Sequence, residues 1–172
     1  MSGEEEYHAL AARVAAIEDR EAIADLVNTY AELIRNGTPG RCVELMAEDA
    51  SIEIRHADPQ RPGESSVYMS FPDRAAIATS FVDTAGAGTK IWAMIHNLRI
   101  TLDGDRATST CVMMSATWPQ GTQNVGEYRD SYRRIDGRWL FASRAFINFG
   151  DTEGRFAGES AARFLSFPSS KG

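Results

Sequence analysis

Residues 91–105 read IWAMIHNLRITLDGD. The even-numbered positions of this stretch are Trp92, Met94, His96, Leu98, Ile100 and Leu102, and five of the six are large and apolar. Side chains alternate across a strand, so the spacing predicts a β-strand carrying all six on one face and running into a tight turn at Asp103-Gly104-Asp105. An ionisable imidazole in the row that should face the core is the anomaly. Either His96 is a buried histidine bonded to a neighbouring carbonyl or hydroxyl, or the row lines a hollow and His96 carries protons there.

Working outward, the chain organises around that strand. Downstream, further strands are predicted over 106–118, 125–135 and 138–148, with Asp136-Gly137 as a hairpin turn and Gln120–Asn124 as a looser one. Upstream, residues 4–36 are helical in pattern. Ile23, Leu26, Val27, Tyr30, Leu33 and Ile34 make an amphipathic stripe, Asp19 is placed to cap this second part, and Asn36-Gly37 with Pro39 stops it. A short helix is predicted over 41–46, a short strand over 51–54, a Pro-, Gly- and Ser-rich loop over 56–66 and a strand over 66–71. A helix from Pro72 to about Asp83 and a flexible connection over 85–90 complete the series. Helices first and a long antiparallel meander last predict a single α+β domain over 1–172, with its core at about 8–148. Such a sheet, strongly curved around an amphipathic helix, makes a cone with an inside. The tail over 149–172 is placed to cover that pocket.

Composition narrows the function classes. The 172 residues are 43% hydrophobic and 24% charged, ordinary for a globular protein. The formal net charge of −6 argues against a protein held to a phosphate backbone, so no nucleic acid partner is expected. Arg129, Arg133, Arg134, Arg138 and Arg144 are interleaved with Asp and Glu and read as a solvated or paired face. No apolar run approaches the roughly 20 residues that cross a bilayer, so no membrane partner is expected. The acidic start MSGEEEYH does not look like a secretory signal, and a cytoplasmic location is the expectation. Cys42 and Cys111 are isolated, His8, His56 and His96 lack metal-ligand spacing, and there is no phosphate-binding loop or nucleophile elbow. No metal and no cofactor are expected.

Three motifs in order carry a resemblance. They are REAIADLVNTYAELIRNG followed by EDASIEI, then HNLRITLDGDRAT, then GEYRDSYRRIDGRWLFASR. Together they span 20–145, and this pattern resembles the SnoaL-like branch of the nuclear transport factor 2 superfamily. The resemblance implies a cone-shaped α+β barrel with the N-terminal helices packed in the concave face of a mostly antiparallel sheet. It implies a mostly apolar pocket for a small hydrophobic molecule and a homo-oligomer, dimer or trimer. Members include polyketide cyclases, scytalone dehydratase, dehydrochlorinases and ketosteroid isomerase, but also non-catalytic transport factors and dioxygenase small subunits. The sequence departs from the dehydratase pattern at two places: Arg35 stands where relatives carry an acid, and Ala93 where they carry a histidine.

The candidate chemistry follows from both readings. His96 is the candidate acid or base. Asp130, between Tyr128 and Tyr132 on one face of its strand, is either a desolvated proton carrier or the partner of an arginine such as Arg144. Tyr30 on the helix stripe is a hydrogen-bond donor or a packing residue. Tyr128 could stabilise oxyanion charge, and Arg144 could hold a polar substrate group. Trp92, Met94 and Met113 could form an adaptable substrate wall, or plain core. The expectation is a cofactor-independent dehydratase, isomerase or cyclase acting on a hydrophobic carbonyl-containing or hydroxylated molecule. The alternative is a binding or accessory subunit with the same fold.

Overall fold

A computed structural model describes residues 3–86, 90–118 and 121–151. The first element is a single helix, α1 (Gly3–Arg35), followed by a 3-10 turn over Pro39–Leu45. Then come β1 (Met46–Ala57), β2 (Ser65–Phe71), α2 (Arg74–Gly86), β3 (Lys90–Asp103), β4 (Arg106–Trp118), β5 (Gln123–Ile135) and β6 (Arg138–Asp151). The turn and flexible connection expected around 120 and 88, and the tail beyond 151, fall partly or wholly outside the described residues.

The six strands form one mixed sheet in the order β2-β1-β6-β5-β4-β3. Neighbours are antiparallel except β1 and β6, which run parallel with Ile52, Ile54 and His56 beside Arg144, Phe146 and Asn148. The sheet stays open, with β2 and β3 as edges, so the expected barrel is a partial cone. Residues with positive φ sit at the hairpin tips, Gly104 (57°) and the pair Asp136 (50°) and Gly137 (75°), where tight turns need that conformation.

The inner face packs on the helix stripe. Ile23, Leu26, Val27 and Tyr30 of α1 cluster with Met46, Ala50 and Ile52 of β1, Ile77 and Phe81 of α2, and Phe141 of β6. Burying each of these large side chains contributes about 1.5–3 kcal/mol. Asp19 does not cap a second helix, because α1 is continuous. Its carboxylate instead accepts hydrogen bonds from Arg134 Nη2 (2.6 Å) and Trp139 Nε1 (3.0 Å). Burial works to raise its pKa, but these two donors outweigh that and hold it below the usual carboxylate value. No helix among the described residues is long and apolar enough to cross a membrane.

The largest departure from the sequence reading lies in β3. Pairing with β4 is regular up to His96–Val112 and resumes at Arg99–Thr110, and between them Asn97 takes a φ of 55°. This is a β-bulge, and an extra residue in a strand reverses which parity faces which side. Before it, Ile91, Ala93 and Ile95 are the more sheltered residues; after it, Leu98, Ile100 and Leu102 are. The even-numbered row is therefore not one face. Trp92 (52% exposed), Met94 (42%) and His96 stand on the outer surface of the sheet.

Candidate active site

Between the inner face of the sheet, the C-terminal part of α1 and α2 lies a cavity of about 580 Å³. Its inner end is built around Arg144, which is 1% exposed. The parallel β1–β6 pairing and the antiparallel β6–β5 pairing place Arg144 between Ile52 and Asp130. Arg144 donates to Asp130 from Nε (2.9 Å) and Nη2 (2.8 Å), and the Tyr132 hydroxyl donates to the same carboxylate (3.1 Å). A second hydrogen bond joins Tyr132 to the Ser109 hydroxyl (2.6 Å). All of these groups are buried.

Aromatic rings surround the guanidinium. Its carbon lies 4.1 Å from the ring centres of Tyr30 and Tyr128 and 4.3 Å from that of Phe141. These contacts use the negative faces of the rings and replace hydration that the buried cation has lost. Burial disfavours the charge, but Asp130 outweighs it, and Arg144 stays ionised well beyond the ordinary arginine range. Burial also pushes the Tyr128 phenol up to about 12 and drives Tyr30 still higher. At neutral pH both tyrosines are therefore hydrogen-bond donors, not bases. The Nη1 nitrogen of Arg144 is buried without a hydrogen-bond partner. A donor in that state is costly unless a ligand or water oxygen meets it.

The outer end of the cavity is polar in a different way. Asn148 is 4% exposed, and its Oδ1 accepts the Gly150 N–H (2.9 Å), which leaves the amide NH2 as the group it can offer a ligand. His56, its register partner on β1, is half-buried and stacked on Tyr68 with ring centres 4.6 Å apart. Four residues along the strand separate this pair from Ile52 and Arg144, about 13 Å at the usual rise. Between the ends the wall is apolar: Ile54, Met69, Met113 and Phe146, with Ala93 as its smallest member.

The structure thus brings together Tyr30, Tyr128, Met113 and Arg144 of the sequence-predicted site on the cavity wall. Asp130 reaches the site through Arg144, the cross-strand pairing that the sequence offered as its alternative role. His96, Trp92 and Met94 are corrected to the outer face, for the reason given by the Asn97 bulge. Ala93 does line the cavity, so the position where relatives carry a histidine is an inward one here, occupied by a methyl group. Arg35 is exposed and pairs with Glu32 at 3.8 Å, away from the cavity. His56 is the cavity residue that the sequence reading lacks, because HADPQRPG has the composition of a loop. The signal was the continued alternation Ile52, Ile54, His56.

Comparison with known proteins agrees with this geometry. No curated protein matches the chain in sequence. A structure described as a nuclear-transport-factor-2-like protein with a cystatin-like fold, from Novosphingobium aromaticivorans, is similar over 92% of this chain and 96% of its own, at 26% identity and a TM-score of 0.64. From the same organism, a protein provisionally named the β subunit of an aromatic-ring-hydroxylating dioxygenase is 18% identical, covering 78% of this chain and 92% of its own at a TM-score of 0.68. Another, provisionally named a scytalone dehydratase, is 17% identical over 80% and 88% at a TM-score of 0.65. At such identities the last two speak to fold alone. The model of the SnoaL-like domain matches residues 15–145, and the chain belongs to that family.

Proposed function

We propose that the cavity holds a small, largely apolar molecule with its carbonyl or hydroxyl oxygen at the Arg144 end, and that the chain is a cofactor-independent enzyme of dehydratase, isomerase or cyclase type. The observation that carries this reading is the buried Nη1 of Arg144, without a hydrogen-bond partner beside the Tyr30 and Tyr128 rings on the cavity wall. Donors fixed in a dry site stabilise charge as it develops on oxygen, because they need no reorganisation and little water screens them. Asp130 serves as a positioning residue: it orients Arg144 and balances its charge, so the oxygen bound there is an uncharged one that gains charge in the reaction. His96, on the outer face, has no part in this chemistry. His56 is the imidazole on the cavity wall, and we assign it the proton that leaves carbon, taken directly or through one water and returned afterwards, while Asn148 would contact the outer part of the ligand.

The second reading is a non-catalytic binding or accessory subunit. What favours it is Ala93 on the cavity wall and Arg35 outside the cavity, where dehydratase relatives carry their histidine and acid. Proton exchange separates the two. An enolisable bicyclic ketone, 2-tetralone, is incubated with the protein in D2O, and loss of its α-proton signals is followed by NMR. Exchange above the buffer rate that falls about 10²-fold in Tyr128→Phe supports the enzyme. Saturable binding without exchange supports the subunit, and absence of binding removes the cavity reading altogether.

A further inference from the structure

Among the described residues, the first part of α1 packs its apolar side chains on none of the sheet or α2. Every residue from Gly3 to Ala15 is exposed, and Ala16 and Asp19 are the first to be sheltered. Yet this arm carries large apolar side chains: Tyr7 (69% exposed), Leu10 (56%), Val14 (46%) and Ile17 (63%). Their spacing of three, four and three residues is that of the a and d positions of a coiled coil. At 100° per residue this stripe lies almost opposite the one formed by Ile23, Leu26, Val27 and Tyr30, which enters the core. It therefore points away from the domain. An unsupported helical arm of this length is marginal in water, and its stripe gains most when a second helix covers it.

We infer that this stripe is an interface with a second copy of the chain, formed by the α1 arms of two protomers side by side and parallel. The charges flanking the seam choose the partner and its direction. In the parallel arrangement Arg13 of one arm faces Glu18 of the other, twice by symmetry. The antiparallel arrangement would set Arg13 against its own copy and Glu4 against Glu18 twice, and its favourable pairing of Glu6 with Arg20 does not offset both repulsions. Glu21, at the next a position, ends the seam, so the contact is two heptads long and of modest strength.

Light scattering and sedimentation of the full chain over a concentration series test this. The expected result is a dimer that Val14→Glu converts to monomer, with the domain unfolding at the temperature that the unsubstituted chain shows when diluted to monomer, because Val14 touches none of the core. Arg13→Glu should weaken the dimer about 10-fold, and adding Glu18→Arg in the same chain should restore it. A Val14→Cys chain should form a disulfide between copies under mild oxidation, since parallel pairing sets the two positions opposite each other. A chain that is monomeric throughout, or a dimer that survives Val14→Glu, overturns the proposal. A dimer that needs the arm but forms no Val14→Cys crosslink overturns its parallel direction.

Discussion

On its inner face the sheet holds Arg144, Asp130 and Tyr132 nearly free of water, with each polar group answered by a neighbour or turned to the cavity wall. On its outer face Trp92, Met94, Val112 and Trp118, each between a third and two-thirds exposed, stand in solvent beside the exposed His96. The two faces share the same strands and differ by one residue of parity. A single position in β3, Asn97, decides which side chains belong to which. Composition therefore does not tell inside from outside in this protein; backbone register does.

Substitutions at successive points across the sheet should show that difference as a descending series. Arg144→Met leaves the Asp130 carboxylate buried without its cation and should cost about 3–5 kcal/mol in urea denaturation. Adding Asp130→Asn should return a large part of that, and full additivity of the two would show that the pair is not coupled. Gly126→Ala comes next. Its new methyl would strike the Phe146 ring and lie 2.5 Å from the Ile147 carbonyl oxygen, and the backbone has little room to move, so about 1–3 kcal/mol should be lost. Asn97→Ala should cost about 1–2 kcal/mol, because alanine fits a φ of 55° poorly, whereas Asn97→Gly should be nearly neutral. Smallest of all, His96→Ala should change stability by less than about 0.5 kcal/mol and leave ligand binding and proton exchange unaltered. A large effect of His96→Ala would erase the contrast between the faces.

Much of the architecture was legible before the fold was seen, for physical reasons that can be named. The α1 stripe from Ile23 to Ile34 repeats often enough to fix a helix and its buried side, and Asp136-Gly137 adopts the positive φ values that its composition demands. Tyr30 and Tyr128 are legible because each lies on a stretch of regular periodicity, whereas Arg144 is legible only as the cross-strand partner of Asp130, since β6 shifts register between Phe141 and Ser143. His96, Trp92 and Met94 were misplaced because alternation was extended through Asn97 as if the strand were regular. Asparagine tolerates positive φ, yet nothing local requires it to bulge. Asp19 looks like a cap in sequence because its true partners, Arg134 and Trp139, lie more than a hundred residues away and only the folded chain brings them near. His56 was hidden by the opposite error: a strand was ended early because proline and glycine follow it.

The parallel contact between β1 and β6 has a consequence for how the molecule is made. Antiparallel neighbours such as β5 and β6 can zip from a tight turn, but β1, which pairs on one edge with β2, must wait for the last strand on its other edge, since Ile52 finds Arg144 only after the whole meander has been laid down. The binding chamber is thus a late product of folding. While the chain is still being synthesised, β1 has β2 on one edge and α2 nearby but leaves its other edge sticky and half-finished, and chaperone demand should peak just before the final strand leaves the ribosome.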